Sequence, residues 1–329
     1  MGQEFKPLGK IDLSQFDKYA KKPKAEKLAG FSEYQQGLDK QLKKVAQEIN
    51  DSYGYFVSDD AAIALDSYPP DFYDRSRAEK YISDTENIFI EKSGLSREAW
   101  EKDRETKMGI IAEKVLILLF HKITGGQGNG FITVRSSRFD DYHGIDTVII
   151  DEETGNPICG VDEMSANENH SLENKGEKIS DRIISKNGAY IQYGAVIKNG
   201  KLEKRVLKNV PAFYLALSQK DLEEVLPFLE GEEASPVEKK IFQRLVLSLE
   251  QQLKNLYWEF DGDYNTLKDR REALLLELEE IKKNQTDLAL SKTDIGREWK
   301  KSMGENNLKL NILHFKKSLA KMKKMAGLE

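Results

Sequence analysis

Residues 143–165 read HGIDTVIIDEETGNPICGVDEMS. Two runs rich in Val and Ile, 145–151 and 157–164, flank Glu152-Glu153-Thr154-Gly155-Asn156, a polar turn sequence, so the pattern predicts an antiparallel hairpin. Each run carries an acid, Asp146 at the opening of the first and Asp162 inside the second. Asp is a poor strand former, so something local must favour it in both places. Alternation puts Asp162 and Met164 on one face and Glu163 on the other, and the hairpin would bring Asp146 and Asp162 within reach of one ion.

Toward the N-terminus, 130–135 reads as a further strand, preceded by Gly125-Gly126. Ahead of the glycines, 97–123 reads as one long helix with Ser96 as its N-cap. The helix is apolar on nearly every face from Met108 to Phe120, yet holds Glu113. Burying a lone carboxylate costs several kcal/mol unless a metal ion or a cation compensates, or unless Glu113 lies on a wet stripe beside Lys114. Further upstream, Leu38, Leu42, Val45 and Ile49 recur at helical spacing until Tyr68-Pro69-Pro70 breaks the chain. Residues 1–95 thus read as a helical cap or accessory region without recognisable chemistry.

Toward the C-terminus the pattern predicts a helix over 175–185 and strands over 189–197 and 212–217, with Lys198-Asn199-Gly200 as a hairpin turn. Ser235-Pro236 with Glu238 opens a helix. Phe260, Leu267, Leu274, Ile281 and Leu288 lie seven apart, a coiled-coil-like seam that Gly262 can break into an antiparallel hairpin. A basic amphipathic helix over 308–325 ends the chain. The expected organisation is a helical region 1–95, a mixed α/β core 96–230 and a helical, coiled-coil-like region 231–329, with a homodimer through the C-terminal helices as one consequence.

The composition sets bounds. The 329 residues are 33% charged with net charge −5, so the whole chain is no polyanion sponge. Basic residues are nevertheless concentrated: 297–325 carries nine against two acidic ones, and local patches matter more for phosphate binding than the total. A single cysteine, Cys159, excludes a disulfide framework and a CxxC metal site, and points to a reducing cytoplasm. The start has no apolar signal-peptide core, and Lys6 stands where myristoylation needs Ser or Thr. No apolar run is long enough to span a bilayer.

Acids clustered without spare histidines suit Mg²⁺ or Mn²⁺ better than zinc. A helix with Glu113, a strand, Gly144-Ile145-Asp146 opening a second strand, a hairpin, and Asp162 in a third strand together resemble the PD-(D/E)XK nucleases. The likeness covers about a third of the chain. It implies a restriction-endonuclease-like mixed sheet flanked by helices, Mg²⁺ or Mn²⁺ held by Glu113, Asp146 and Asp162, and DNA as the substrate. It also implies a lysine two residues after the last acid, where Met164 stands, a side chain without charge. Three alternatives stay open: a migrated cation, with Lys178 first, then Lys175 and Arg138; a register using Glu163 and Ser165; or a site without turnover, retained for binding nucleic acid or as an oligomeric scaffold. Arg135, Arg138 and Lys175 are candidate phosphate contacts. His143 reads as a turn residue, and Tyr190 and Tyr193 as packing residues.

Overall fold

A computed structural model of the chain describes residues 31–125, 130–165, 187–256 and 294–328, with single positions at 179, 269, 272, 273 and 276. The described helices are α1 (Phe31–Tyr53), α2 (Arg75–Ser93), α3 (Arg97–Glu105), α4 (Met108–Thr124), α5 (Arg138–Asp141), α6 (Gln219–Val225), α7 (Pro236–Leu256) and α8 (Asp294–Met325). The strands are β1 (Phe131–Arg135), β2 (Thr147–Asp151), β3 (Pro157–Ser165), β4 (Ala189–Lys198), β5 (Lys201–Val210) and β6 (Ala212–Leu217).

The chain is mixed α/β. One sheet has the order β1-β2-β3-β6, antiparallel through the first three strands and parallel between β3 and β6. Strands β4 and β5 form a separate antiparallel ribbon. All five residues of β1 and all five of β2 are buried, which fits their Val/Ile-rich composition and requires cover on both faces. Helix α4 packs on β1 and β3, α1 on α4, α7 on β6, and α8 on α7, β3 and β5. One continuous apolar core runs from Leu38 to Ala326, so the N-terminal and C-terminal helices share the core of the sheet.

Local chemistry explains the turns. Gly155 has φ +69°, and a Cβ there would stand 2.0 Å from the Ile197 carbonyl oxygen, so only glycine fits where the first hairpin meets β4. Asn199 and Gly200 both have positive φ, as a two-residue hairpin turn between β4 and β5 demands. Ser96 caps α3 by accepting from the Ala99 N–H. At α7, the Glu238 carboxylate accepts from the Ser235 N–H at 2.6 Å while the Ser235 hydroxyl accepts from the Glu238 N–H, a capping box completed by Lys122 at 2.7 Å.

Two expectations need correction. The helix predicted over 97–123 is two helices, interrupted at Thr106 and Lys107, with Lys107 extended at φ −75°, ψ 139°. The break falls where a charged stretch that buries only Trp100 meets the apolar run that starts at Met108, and the Thr106 hydroxyl donates back to the Asp103 carbonyl. The last helix begins at Asp294 rather than 308. Its stripe Leu308, Ile312, Phe315, Leu319 and Met322 is buried, with Phe315 stacked on Phe213 at 4.4 Å between centroids. The seam positions Phe260, Leu267, Leu274, Ile281 and Leu288, and the helix expected over 175–185, lie outside the described residues, apart from buried Ile179. Among the described residues, no helix is long and apolar enough to cross a membrane.

Asp140 ties α5 to β4. Its carboxylate accepts from the Gln192 N–H (2.8 Å), the Tyr193 N–H (3.0 Å) and the Ser137 hydroxyl (2.7 Å). Asp140→Ala strands two buried backbone donors and should lower the unfolding free energy by about 2–4 kcal/mol. Urea denaturation checks this: the midpoint falls with the slope unchanged, and a loss below about 1 kcal/mol would contradict the assigned role.

Candidate functional site

Four elements converge at one end of the sheet. Helix α4 supplies Glu113, the end of β1 supplies Arg135, the turn into β2 supplies Asp146, and β3 supplies Glu163. The turn is held by backbone hydrogen bonds: the Asp146 N–H donates to the Val161 carbonyl at 2.8 Å, and the Ser136 N–H to the Asp146 carbonyl at 2.7 Å. Asp146 Oδ2 then accepts from the Glu163 N–H at 2.7 Å, which locks this acid to β3. Glu113 is 8% exposed and its Oε2 accepts from Arg135 Nη2 at 2.8 Å. The other arm of that guanidinium, Nη1, reaches Asp60 Oδ2 at 2.8 Å.

Crowding shows in the proton affinities. Burial pushes the Glu113 carboxyl up to about 7, reinforced by the charges of Asp146 and Asp141 and resisted by Arg135. Glu163, 7% exposed, is raised well above the ordinary carboxylate range by burial and then by Asp146 and Glu113, against the pull of the Thr147 hydroxyl and Arg135. Both shifts have the same meaning: carboxylates have been taken from water and set beside one another faster than local cations neutralise them. Asp60 behaves oppositely. Burial raises it, but Arg135, the Ser58 hydroxyl and the Ala62 N–H together hold it below the ordinary value.

Glu113 and Asp146 therefore lie within electrostatic reach of one another. Asp162 does not face them. Glu163 feels Glu113 and Asp146, and alternation turns its neighbour Asp162 to the other face of β3, where its register partner is Tyr214 of β6. The acid beside Glu113 and Asp146 is Glu163, which is the alternative register. Arg135, expected as a phosphate contact, is 5% exposed and committed to two carboxylates. Arg138, likewise expected to meet phosphate, bonds Asp141 at 2.8 Å and Glu86 at 3.4 Å and lies over the Tyr142 ring. Lys175 and Lys178 lie outside the described residues. His143 packs on Phe139 and Tyr81, Tyr193 is buried, and Tyr190 is 45% exposed.

No protein-family model, curated protein or solved structure matches the chain. Function must therefore be argued from the site. Among the described residues, no three acids, histidines or cysteines close into a ready-made metal cluster, and Glu113 is met by Arg135. What the arrangement offers is a set of hard oxygen donors, two of them with raised proton affinity, next to a cation fixed from two sides.

Sequence reading missed Asp60 altogether. It sits in the segment that bridges Val57 to Ile63 and then pairs Ala62 with Arg135, a short parallel extension of the sheet at β1. Only the odd string Ser58-Asp59-Asp60-Ala61, two acids ahead of an apolar run, hinted at a local turn.

Proposed function

We propose that this chain is a divalent-metal-dependent nuclease that hydrolyses phosphodiester bonds of DNA, on a restriction-endonuclease-like mixed sheet flanked by helices. The observation that supports it best is that Glu113, Asp146 and Glu163 lie within electrostatic reach of one another, with raised proton affinity on the two buried ones, Glu113 and Glu163. Such a donor set fits Mg²⁺ or Mn²⁺, which favour carboxylate oxygens and relieve the repulsion between them. When bound, the ion supplies an activated water and neutralises charge on the phosphoryl group. Glu113, Asp146 and Glu163 would hold it. The Glu163 N–H fixes the orientation of Asp146, and Arg135 fixes that of Glu113.

A second reading has its own support. Counting from Glu163, the motif-lysine position is Ser165, which brings no charge, so the fold could bind nucleic acid without turnover. Supercoiled plasmid incubated with the full chain and Mg²⁺, Mn²⁺ or EDTA separates the two. Nuclease activity gives nicked or linear DNA with either metal and none with EDTA. Intact plasmid in every lane, together with binding that weakens steeply as salt rises, would replace the enzyme with the binding module.

A further inference from the structure

We infer that Asp60 and Arg135 form a positioning clamp for Glu113, which makes the segment around residues 57–63 part of the site rather than an accessory. The inference rests on the proposed metal-dependent chemistry. Four observations carry it. The Arg135 guanidinium bridges Asp60 Oδ2 and Glu113 Oε2 at 2.8 Å each. Its Nε is buried and has no hydrogen-bond partner among the described residues, so the hydrogen bonds described for the group are those to the two carboxylates. The Asp60 carboxylate is anchored in turn, its Oδ1 accepting from the Ser58 hydroxyl at 2.6 Å and the Ala62 N–H at 3.3 Å. Finally, the next residue, Ala61, is buried with φ +58°, a conformation that costs a non-glycine residue free energy and persists only where its surroundings impose it. The Arg135 N–H and C=O bond Ala61 O and the Ile63 N–H, both at 2.9 Å, so backbone and side chain hold the same pair of elements.

A merely structural ion pair predicts something different. The Asp60 side chain is 48% exposed but that of Arg135 only 6%, so as a purely structural pair its loss would take a partner from a buried guanidinium and lower stability without moving metal affinity. As a clamp, the pair also sets where the Glu113 carboxylate stands and how much positive charge competes with a metal ion for it. Asp60→Asn removes one of the two carboxylates that pair directly with Arg135, so the guanidinium leans more on Glu113 and Mn²⁺ has to compete harder. Arg135→Met removes the competing charge, so Mn²⁺ binds more tightly while the carboxylate loses its orientation. The two variants therefore shift metal affinity in opposite directions while both slow cleavage.

The experiment measures Mn²⁺ affinity from the spin-resonance signal of the free ion, alongside plasmid cleavage, for wild type, Asp60→Asn, Arg135→Met, Arg135→Lys and Glu163→Gln. Expected are a roughly threefold or larger weakening of Mn²⁺ binding in Asp60→Asn, a comparable tightening in Arg135→Met, and roughly tenfold or greater losses of cleavage in both. Arg135→Lys restores part of the rate. Arg135→Met is a buried substitution and can cost folding; Asp60→Asn is half-exposed and carries the test alone if it does. Asp60→Asn matching wild type in affinity and rate, with Glu163→Gln inactive, overturns the clamp and leaves the nuclease reading standing. If wild type cleaves no DNA, the nuclease reading falls, and the Mn²⁺ titrations decide: opposite shifts keep the clamp as the organiser of a binding site, and unshifted affinities end it.

Discussion

Glu163→Gln should abolish metal-dependent DNA cleavage, a loss of roughly a thousandfold or more, while Asp162→Asn retains most of it. Glutamine keeps the volume of Glu163 but replaces one carboxylate oxygen with a donor that repels a cation. The substitution should not harm the fold in the absence of metal, because burial and the neighbouring Asp146 and Glu113 already favour the neutral form of Glu163. Asp162 lies one residue along on the opposite face of β3, and its amide form leaves the acid cluster untouched. Plasmid cleavage with Mn²⁺ and thermal unfolding of both variants provide the check. An inactive Asp162→Asn beside an active Glu163→Gln would return the site to the other register and remove the basis for placing Glu163 in it.

That register was the part of the site the sequence could not settle, and the reason is physical. Alternation distinguishes inside from outside only when one face of a strand is wet. Here β2 is buried throughout, and in β3 Ile158, Cys159 and Val161 are all buried, so neither face of 157–163 carries the polar residues that would mark it as solvent-facing. Asp162 and Glu163 are then equivalent in the pattern, and only the pairing of Asp146 with β3 distinguishes them. The hairpins themselves were plain to read, because Gly155 and Asn199-Gly200 impose backbone conformations that few other residues adopt. Glu113 was legible for a similar reason: a charge inside an apolar helix needs a partner wherever the helix goes. The identity of that partner was not legible. Arg135 closes a strand, a place where arginines commonly face water, and its burial depends on Asp60, 75 residues earlier. The role of the C-terminal helix was hidden in the same way, since a stripe at helical spacing fits a partner helix or the chain's own sheet equally well. Phe315 on Phe213 settles it for 308–325.

Without added metal, the protein should become less stable as pH rises from about 5 to about 8, and Mn²⁺ should reverse the loss. The sign follows from proton binding. The Glu113 carboxyl has an affinity near 7 in the folded chain against an ordinary value of 4.5, so between these limits the folded state holds a proton that the unfolded state has released. Its stabilising share is complete below the ordinary value and is lost as pH rises through 7; Glu163, raised in the same direction, extends the decline upward. For Glu113 the change amounts to about 3 kcal/mol across the window, enough to move the melting temperature of a chain this size by several degrees. Asp60 contributes only at the acid end, because its affinity is lowered, and its share is lost as pH falls. His314, lowered by burial and by Lys317, also works against the trend, its share growing as pH rises. The quantity to measure is therefore wild type minus Glu113→Gln, in which groups outside the cluster cancel and Asp60, lowered in affinity, acts only at the acid end. That difference should fall steadily from pH 5 to 8 in EDTA. At pH 8 an ion present at a hundred times its dissociation constant would add about 2.7 kcal/mol to wild type and much less to Glu113→Gln. A difference that stays flat with pH would mean Glu113 remains ionised throughout, satisfied by Arg135 alone, and the case for a metal ion at this cluster would lose its electrostatic basis.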